Sequence, residues 1–341
     1  NAYGLAADHC GNVYVTGFVS NTSPQVTFYN KDGGDSGVTL PEGQTEDYFG
    51  IVAKINGNGI WQWVSTFTAT YTQGNTITTD CDGSIYVAGY TDDTPLQFFD
   101  KNGDESDIGN GFSSPIFSNG FVAKLNCCGV WQWVSTFDRN GIDEVLDLTS
   151  DHCGNVYVTG YASNSQSVIF YNKDGSNSGV TVPEGQLENS FGIVAKINGN
   201  GIWQWVSTFT ATDTRGNSIT TDCDGSIYVA GYTDDTPLQF FNKNGDESDI
   251  GEGFDNYQSR AGFIAKLNCT GVWQWAAVID GSNNDNALGL AADHCGNVYV
   301  TGKSNSQPTF YNKDGDGLVK GLNDNSTAFI AQINSNGIWR W

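Results

Sequence analysis

The 341 residues include 38 acidic and 15 basic side chains, a net charge of −23 that repels nucleic acid and anionic membrane surfaces. With 43 glycines, no methionine and only 16% charged residues, the composition suits many short strands joined by tight polar turns and argues against long helices. No apolar run approaches the roughly 20 residues that span a bilayer, and the opening NAYGLAADHC lacks a signal peptide's basic and apolar regions, so no membrane insertion is expected.

In chain order, the first predicted strands are YGLAAD, NVYVTGF, FGIVAKIN and GIWQWVSTF. HCGN joins the first two and NGNG the last two, both short enough for antiparallel hairpins, so the four runs read as a meander. The pattern then returns. DHCGNVYVTG occupies 8–17, 151–160 and 293–302, and DCDGSIYVAG occupies 80–89 and 222–231. Trp61, Trp131, Trp203, Trp273 and Trp339 mark a second anchor, GIWQW or a close variant. The resulting units run over about 1–70, 71–141, 142–214, 215–284 and 285–341. The two forms of the opening motif alternate, so the building block is a pair of units. Because the sequence starts inside a unit at Asn1 and stops at GIWRW, a processed chain or part of a longer one is expected.

Each meander has apolar residues on both faces: Val13 and Val15 lie on one side of a strand and Tyr14 on the other. Such a sheet needs a neighbour on each side. Radial stacking supplies both, which predicts an all-β fold, a β-propeller of five four-stranded blades forming one domain over 1–341. The alternative is part of a longer six- or seven-bladed propeller.

The segments GLAADHCGNVYVTGFVS, TFYNKDG and FGIVAKINGNGIWQW resemble the SBBP-type β-propeller repeat over essentially the whole chain. That resemblance implies a scaffold, since related repeats occur in bacterial surface or secreted proteins and in proteins of large DNA viruses, mostly without an assigned activity.

Several residues carry candidate chemistry. Asp8, Asp80, Asp151, Asp222 and Asp293 head the first hairpins, where an Asp side chain fixes a turn by accepting backbone N–H bonds. With His9, His152 and His294 they invite a metal-ring reading, but adjacent turn residues point apart. AADHC and GDSG resemble serine-protease motifs; His9 and Ser36 are too close in sequence for a second barrel to fit between them. In the even units Asp100, Asn102, Asp104 and Asp107, and Asn242, Asn244, Asp246 and Asp249, have the oxygen-rich spacing that suits calcium, although Glu105 and Glu247 stand where an EF-hand loop needs glycine. A plain hairpin tip explains the same residues.

Trp61 with Trp63, Trp131 with Trp133, Trp203 with Trp205 and Trp273 with Trp275 are two apart on one strand and read as blade-packing pairs sharing a face. Lys54, Lys124, Lys196 and Lys266 share one strand position. Cys81 with Cys127 and Cys223 with Cys269 are candidate disulfides within the even blades, implying an oxidising compartment, whereas Cys10, Cys153 and Cys295 lack such partners. The sequons at Asn21, Asn268 and Asn325 carry no signal in an Asn- and Thr-rich chain.

Redundancy argues against catalysis, because any pocket would be duplicated. The sequence therefore points to a non-enzymatic structural or adhesive module outside the cell, on a cell surface or on a virion, contacting protein partners or copies of itself. The long loops after each second strand form the expected contact face. A multivalent glycan-binding propeller and a hydrolase with a site at the channel mouth are the rival readings.

Overall fold

The computed structural model describes residues 1–20, 26–41, 48–92, 96–108, 118–138, 143–163, 168–182, 190–234, 238–250, 260–305, 307–319 and 327–341. Among them all regular secondary structure is strand, and no helix is long and apolar enough to cross a membrane. The fold is all-β, of the propeller-repeat class.

Two compact units divide the chain. The first holds repeat 1 (Ala2–Ala7, Val13–Ser20, Tyr48–Ile55, Trp61–Thr68), repeat 2 (Tyr71–Thr79, Ile85–Asp92, Ser118–Leu125, Trp131–Asp138), and from repeat 3 the strands Asp143–Ser150 and Ile169–Tyr171 with the hairpin at 197–204. The second holds the rest of repeat 3, repeat 4 (Asp213–Thr221, Ile227–Asp234, Ala261–Leu267, Trp273–Asp280) and repeat 5 (Asp285–Ala292, Val298–Ser304, Thr327–Ile333). Repeats 1, 2 and 4 are each antiparallel meanders in which sequence neighbours pair. Among the described residues the sheet of repeat 5 has three strands, with Trp339 bridging back to Ile333.

The core lies between repeats. In the first unit Tyr14, Val52, Trp63 and Phe67 of repeat 1 pack with Ile77, Ile85, Val87, Phe121 and Trp131 of repeat 2. In the second, Trp205 and Phe209 meet Ile219, Val229, Phe263 and Trp273, and Trp275 meets Val298, Phe310, Phe329 and Trp339. Apolar residues on both faces of a strand therefore serve two interfaces, as mutual shielding requires.

A short hairpin strengthens each join. Gln97–Phe99 follows the second strand of repeat 2, yet it pairs with the fourth strand of repeat 1: Thr66 faces Phe99, and Phe67 faces Phe98. Glu105–Ser106 then pairs with Gln97–Phe99. Ile169–Tyr171 joins Trp131–Asp138 in the same way, Gln239–Phe241 joins the strand of Thr208 and Phe209, and Thr309–Tyr311 joins Trp273–Asp280. The KDG and KNG segments of repeats 2 to 5 thus belong to latches on the preceding repeat. By covering the outer strand they occupy an edge that would otherwise present unpaired backbone groups.

The shared-face reading of the tryptophan pairs is corrected. A bulge separates them, with Ile55 opposite Trp61 and Lys54 opposite Trp63, so the period-two rule fails there. The first tryptophan turns to the latch: Trp131 Nε1 donates to the Phe99 carbonyl at 3.1 Å, and its ring meets Phe98 at 4.7 Å. The second turns to the following repeat. Trp63 lies over Gly129, whose φ of 78° and lack of a Cβ allow the approach, and Ser65 Oγ donates to the Gly129 carbonyl at 2.7 Å.

Candidate binding surface

At the first hairpins the carboxylates are fully engaged. Asp8 Oδ1 accepts the N–H groups of Cys10 and Asn12, both at 2.9 Å, while Oδ2 accepts the Asn12 amide at 2.7 Å and the Tyr14 hydroxyl at 3.0 Å. Asp80 and Asp222 bind their turns and the hydroxyls of Tyr86 and Tyr228 alike, each hydroxyl at 2.9 Å. Asp151 and Asp293 hold their own turns. Burial works against the charge of Asp8, but its hydrogen bonds hold the carboxyl below the ordinary value. Burial first, then the bond to Asp8, pushes the Tyr14 hydroxyl well up. These aspartates have little free capacity for a ligand, and His9, His152 and His294 are exposed beside them.

The calcium-spaced loops are latch turns. Asp100 Oδ1 accepts the N–H of Asn102 at 2.7 Å and of Asp104 at 3.2 Å; Asn242 Oδ1 accepts the N–H of Trp273 at 2.8 Å. Glu105 and Glu247 accept from Gln97 and Gln239 across the latch rungs. Asn244, Asp246, Asp107 and Asp249 are exposed on the same turns. Among the described residues, no three His, Cys, Asp or Glu side chains gather into a group that could hold a metal ion.

The disulfide reading is corrected: all eight cysteines are exposed free thiols. Cys81 Sγ donates to the His152 carbonyl at 3.4 Å and Cys223 Sγ to that of His294 at 3.3 Å, so these thiols reach the next repeat rather than Cys127 or Cys269. The lysines also bridge repeats. Lys54 lies 5.3 Å from the centre of the Tyr14 ring with Nζ 3.5 Å from the Cys127 carbonyl, and Lys124 repeats this over Tyr86 towards Gly199.

These features follow the repeat. The opposite ends of the strands, where the long segments after the second strand depart, do not. In the first unit five aromatic rings form a continuous ladder there: Tyr3 to Phe18 at 5.9 Å, Phe18 to Tyr48 at 6.1 Å, Tyr48 to Tyr71 at 5.8 Å, and Tyr71 to Tyr90 at 5.9 Å. Tyr3 is 51% exposed and Tyr48 38%. Beside the rings, Gln73 Nε2 donates to Asn75 Oδ1 at 2.7 Å, and Asn75 Nδ2 donates to Glu144 Oε1 at 2.9 Å. Burial, then a hydrogen bond with Tyr71, pushes the Tyr90 hydroxyl up.

At the matching positions the second unit carries charge. Arg260 donates twice to Asp234, at 2.6 and 2.8 Å, with its guanidinium 3.8 Å from the centre of the Tyr232 ring. The Arg215 guanidinium lies 4.1 Å from the centre of the Tyr161 ring and 3.7 Å from Asp213, which Arg260 also approaches at 4.0 Å. The Asp234 hydrogen bonds raise the Arg260 pKa further, against the effect of burial. A pattern search keyed to what repeats passes over both clusters. The available signal is the reverse: Tyr48, Tyr71 and Gln73 against Ser190, Asp213 and Arg215 in otherwise near-identical strands.

Two stretches, 64–97 and 207–239, match the SBBP β-propeller repeat, so the chain carries repeats of that type. It is 25% identical over 259 residues to the uncharacterized WD repeat-containing protein L264 of Acanthamoeba polyphaga mimivirus, a match covering 69% of this chain and 18% of that protein. It is also similar to a solved structure, the calcium-binding protein regucalcin of Agrobacterium tumefaciens, at 10% identity, 88% coverage of this chain, 81% of that one and a TM-score of 0.29.

Proposed function

We propose that this chain is a non-catalytic protein-interaction module whose principal contact is the Arg215, Arg260, Tyr161 and Tyr232 rim of the second unit. One observation carries the reading: where two near-identical pairs of repeats diverge, the second unit gains Arg215 and Arg260 at the positions of Gln73 and Ser118, each guanidinium seated on a tyrosine ring, and tyrosine and arginine are the residue types that dominate interface hot spots. Two hydrogen bonds to Asp234 hold the Arg260 guanidinium in place and Arg215 rests on the Tyr161 ring, which lowers the ordering cost of binding while the two side chains stay 26% and 36% exposed. Propeller repeats support a scaffold rather than a reaction centre. The long segments after the second strands belong to the same proposed contact face and lie partly outside the described residues. Display outside the cell, on a cell surface or on a virion, is part of the proposal.

Affinity capture with the native chain and the R215Q/R260S variant, both checked for folding, tests it. Partners held by the native chain and lost with the variant are the expected result. An identical protein set on both chains, or none on either, would overturn the reading.

A further inference from the structure

We infer that the aromatic ladder of the first unit, Tyr3–Phe18–Tyr48–Tyr71–Tyr90, is a binding platform for a neutral oligosaccharide. It involves different residues from the protein contact proposed for the second unit and does not depend on it.

The fold does not require the ladder. Tyr48 and Tyr71 occupy the register positions of Ser190 and Asp213, and the second unit builds the same strands with those polar residues. Two tyrosines at strand ends, one of them 38% exposed, therefore need a reason other than core packing. The four centre-to-centre steps are nearly uniform, from 5.8 to 6.1 Å, while the planes are stacked in the two end steps, at 28° and 29°, and tilted in the two between, at 59° and 47°, so the rings offer an extended run of apolar contacts rather than one pocket. The rings already rest on one another, and tyrosine has only two side-chain torsions to freeze, so little ordering cost remains for a ligand.

Charge and the surrounding groups select the ligand class. Stacked aromatic rings also suit single-stranded nucleic acid, but that mode needs a basic groove, and this chain has a net charge of −23. The groups beside the ladder are instead planar amides and carboxylates: Gln73, Asn75, Glu144 and Asp92, the last opposite Tyr71 in the sheet register. Amides offer both donors and acceptors, and carboxylates accept from hydroxyl groups. A ligand with apolar faces and a hydroxylated edge complements both features, and a neutral sugar chain has that form. An anionic sugar would meet the carboxylates unfavourably.

The test is isothermal titration of the native chain with neutral hexasaccharides of glucose and of N-acetylglucosamine, alongside Y48S/Y71D. That variant installs the residues that the second unit already tolerates, and its circular dichroism and melting temperature verify the fold. Saturable binding of at least one hexasaccharide, weakened about tenfold or more in Y48S/Y71D and unchanged in R215Q/R260S, is the expected result, on the scale of two lost aromatic contacts. No binding of either sugar to the native chain, or equal binding to Y48S/Y71D, overturns the inference. Loss of captured proteins from Y48S/Y71D without any sugar binding also overturns it, assigning the ladder to a protein partner.

Discussion

The two strand-end rims share a scaffold down to the register, since Tyr71 faces Asp92 as Asp213 faces Asp234, yet one is an aromatic ladder and the other a set of arginine–tyrosine–carboxylate contacts. A difference confined to such positions is informative because everything beneath it is nearly constant. The latches, bridging lysines and turn aspartates recur in both units, so they account for the fold and for nothing that distinguishes one rim from the other. Specificity in a repeat protein is then sought where repetition fails.

The largest effects should come from breaking what the rims have in common. Trp63→Ala in the first unit and Trp205→Ala in the second each remove a buried ring lying over the next repeat's hairpin glycine. Each should lower stability by about 3–5 kcal/mol, read by denaturant unfolding. Unequal costs would show that the shared interface is not equivalent in the two units.

Next comes exchange of the rims themselves. Y48S/Y71D/Q73R/S118R writes the charged pattern into the first unit at positions where the second carries Ser190, Asp213, Arg215 and Arg260. Protein capture should rise as sugar binding falls, and titration against both ligand types checks it. A chain that gains neither property would separate rim chemistry from binding.

A pH difference follows from the join between repeats 4 and 5. Burial, and then the nearby Asp285, push the Asp280 carboxyl up to about 7. A folded-state value above the unfolded one contributes stability that is fully present below about pH 4 and lost as pH rises through 7. Asp280→Asn should therefore raise the melting temperature at pH 8 relative to the native chain and reduce the dependence between pH 5 and 8; thermal scans at both values decide it. Asp8 works the other way: its lowered pKa gives stability that disappears only in acid, so Asp8→Asn should cost most at neutral pH.

The smallest effect on stability is expected from R215Q/R260S. Its ion pairs are partly exposed, and such pairs contribute roughly 0–1 kcal/mol each. Melting temperature should change little while binding changes greatly. A large stability loss would make those arginines structural.

Much of the fold was legible in the sequence because local rules govern it. Alternation in NVYVTG and the HCGN and NGNG joins define meanders, and Asp8 sits where an Asx side chain closes a turn. The latch was not legible, since three residues, Gln97–Phe99, choose a partner strand about thirty residues upstream by long-range packing that short-range pattern does not encode. Nor was the bulge between Trp61 and Trp63, which inverts the facing that period-two spacing implies. Cys81 and Cys127 sit at hairpins at the same end of one meander, but the Cys81 thiol points across to the next repeat, a direction that spacing alone does not give. The ladder went unread because its members are scattered from Tyr3 to Tyr90 and converge only when the strands stack.

The most direct test of two rims with two chemistries is a crystal structure of the chain soaked in N-acetylglucosamine hexasaccharide. The account predicts sugar density along Tyr48 and Tyr71 and none at Ser190 and Asp213. Sugar on the arginine–tyrosine rim, or on both rims alike, would contradict it.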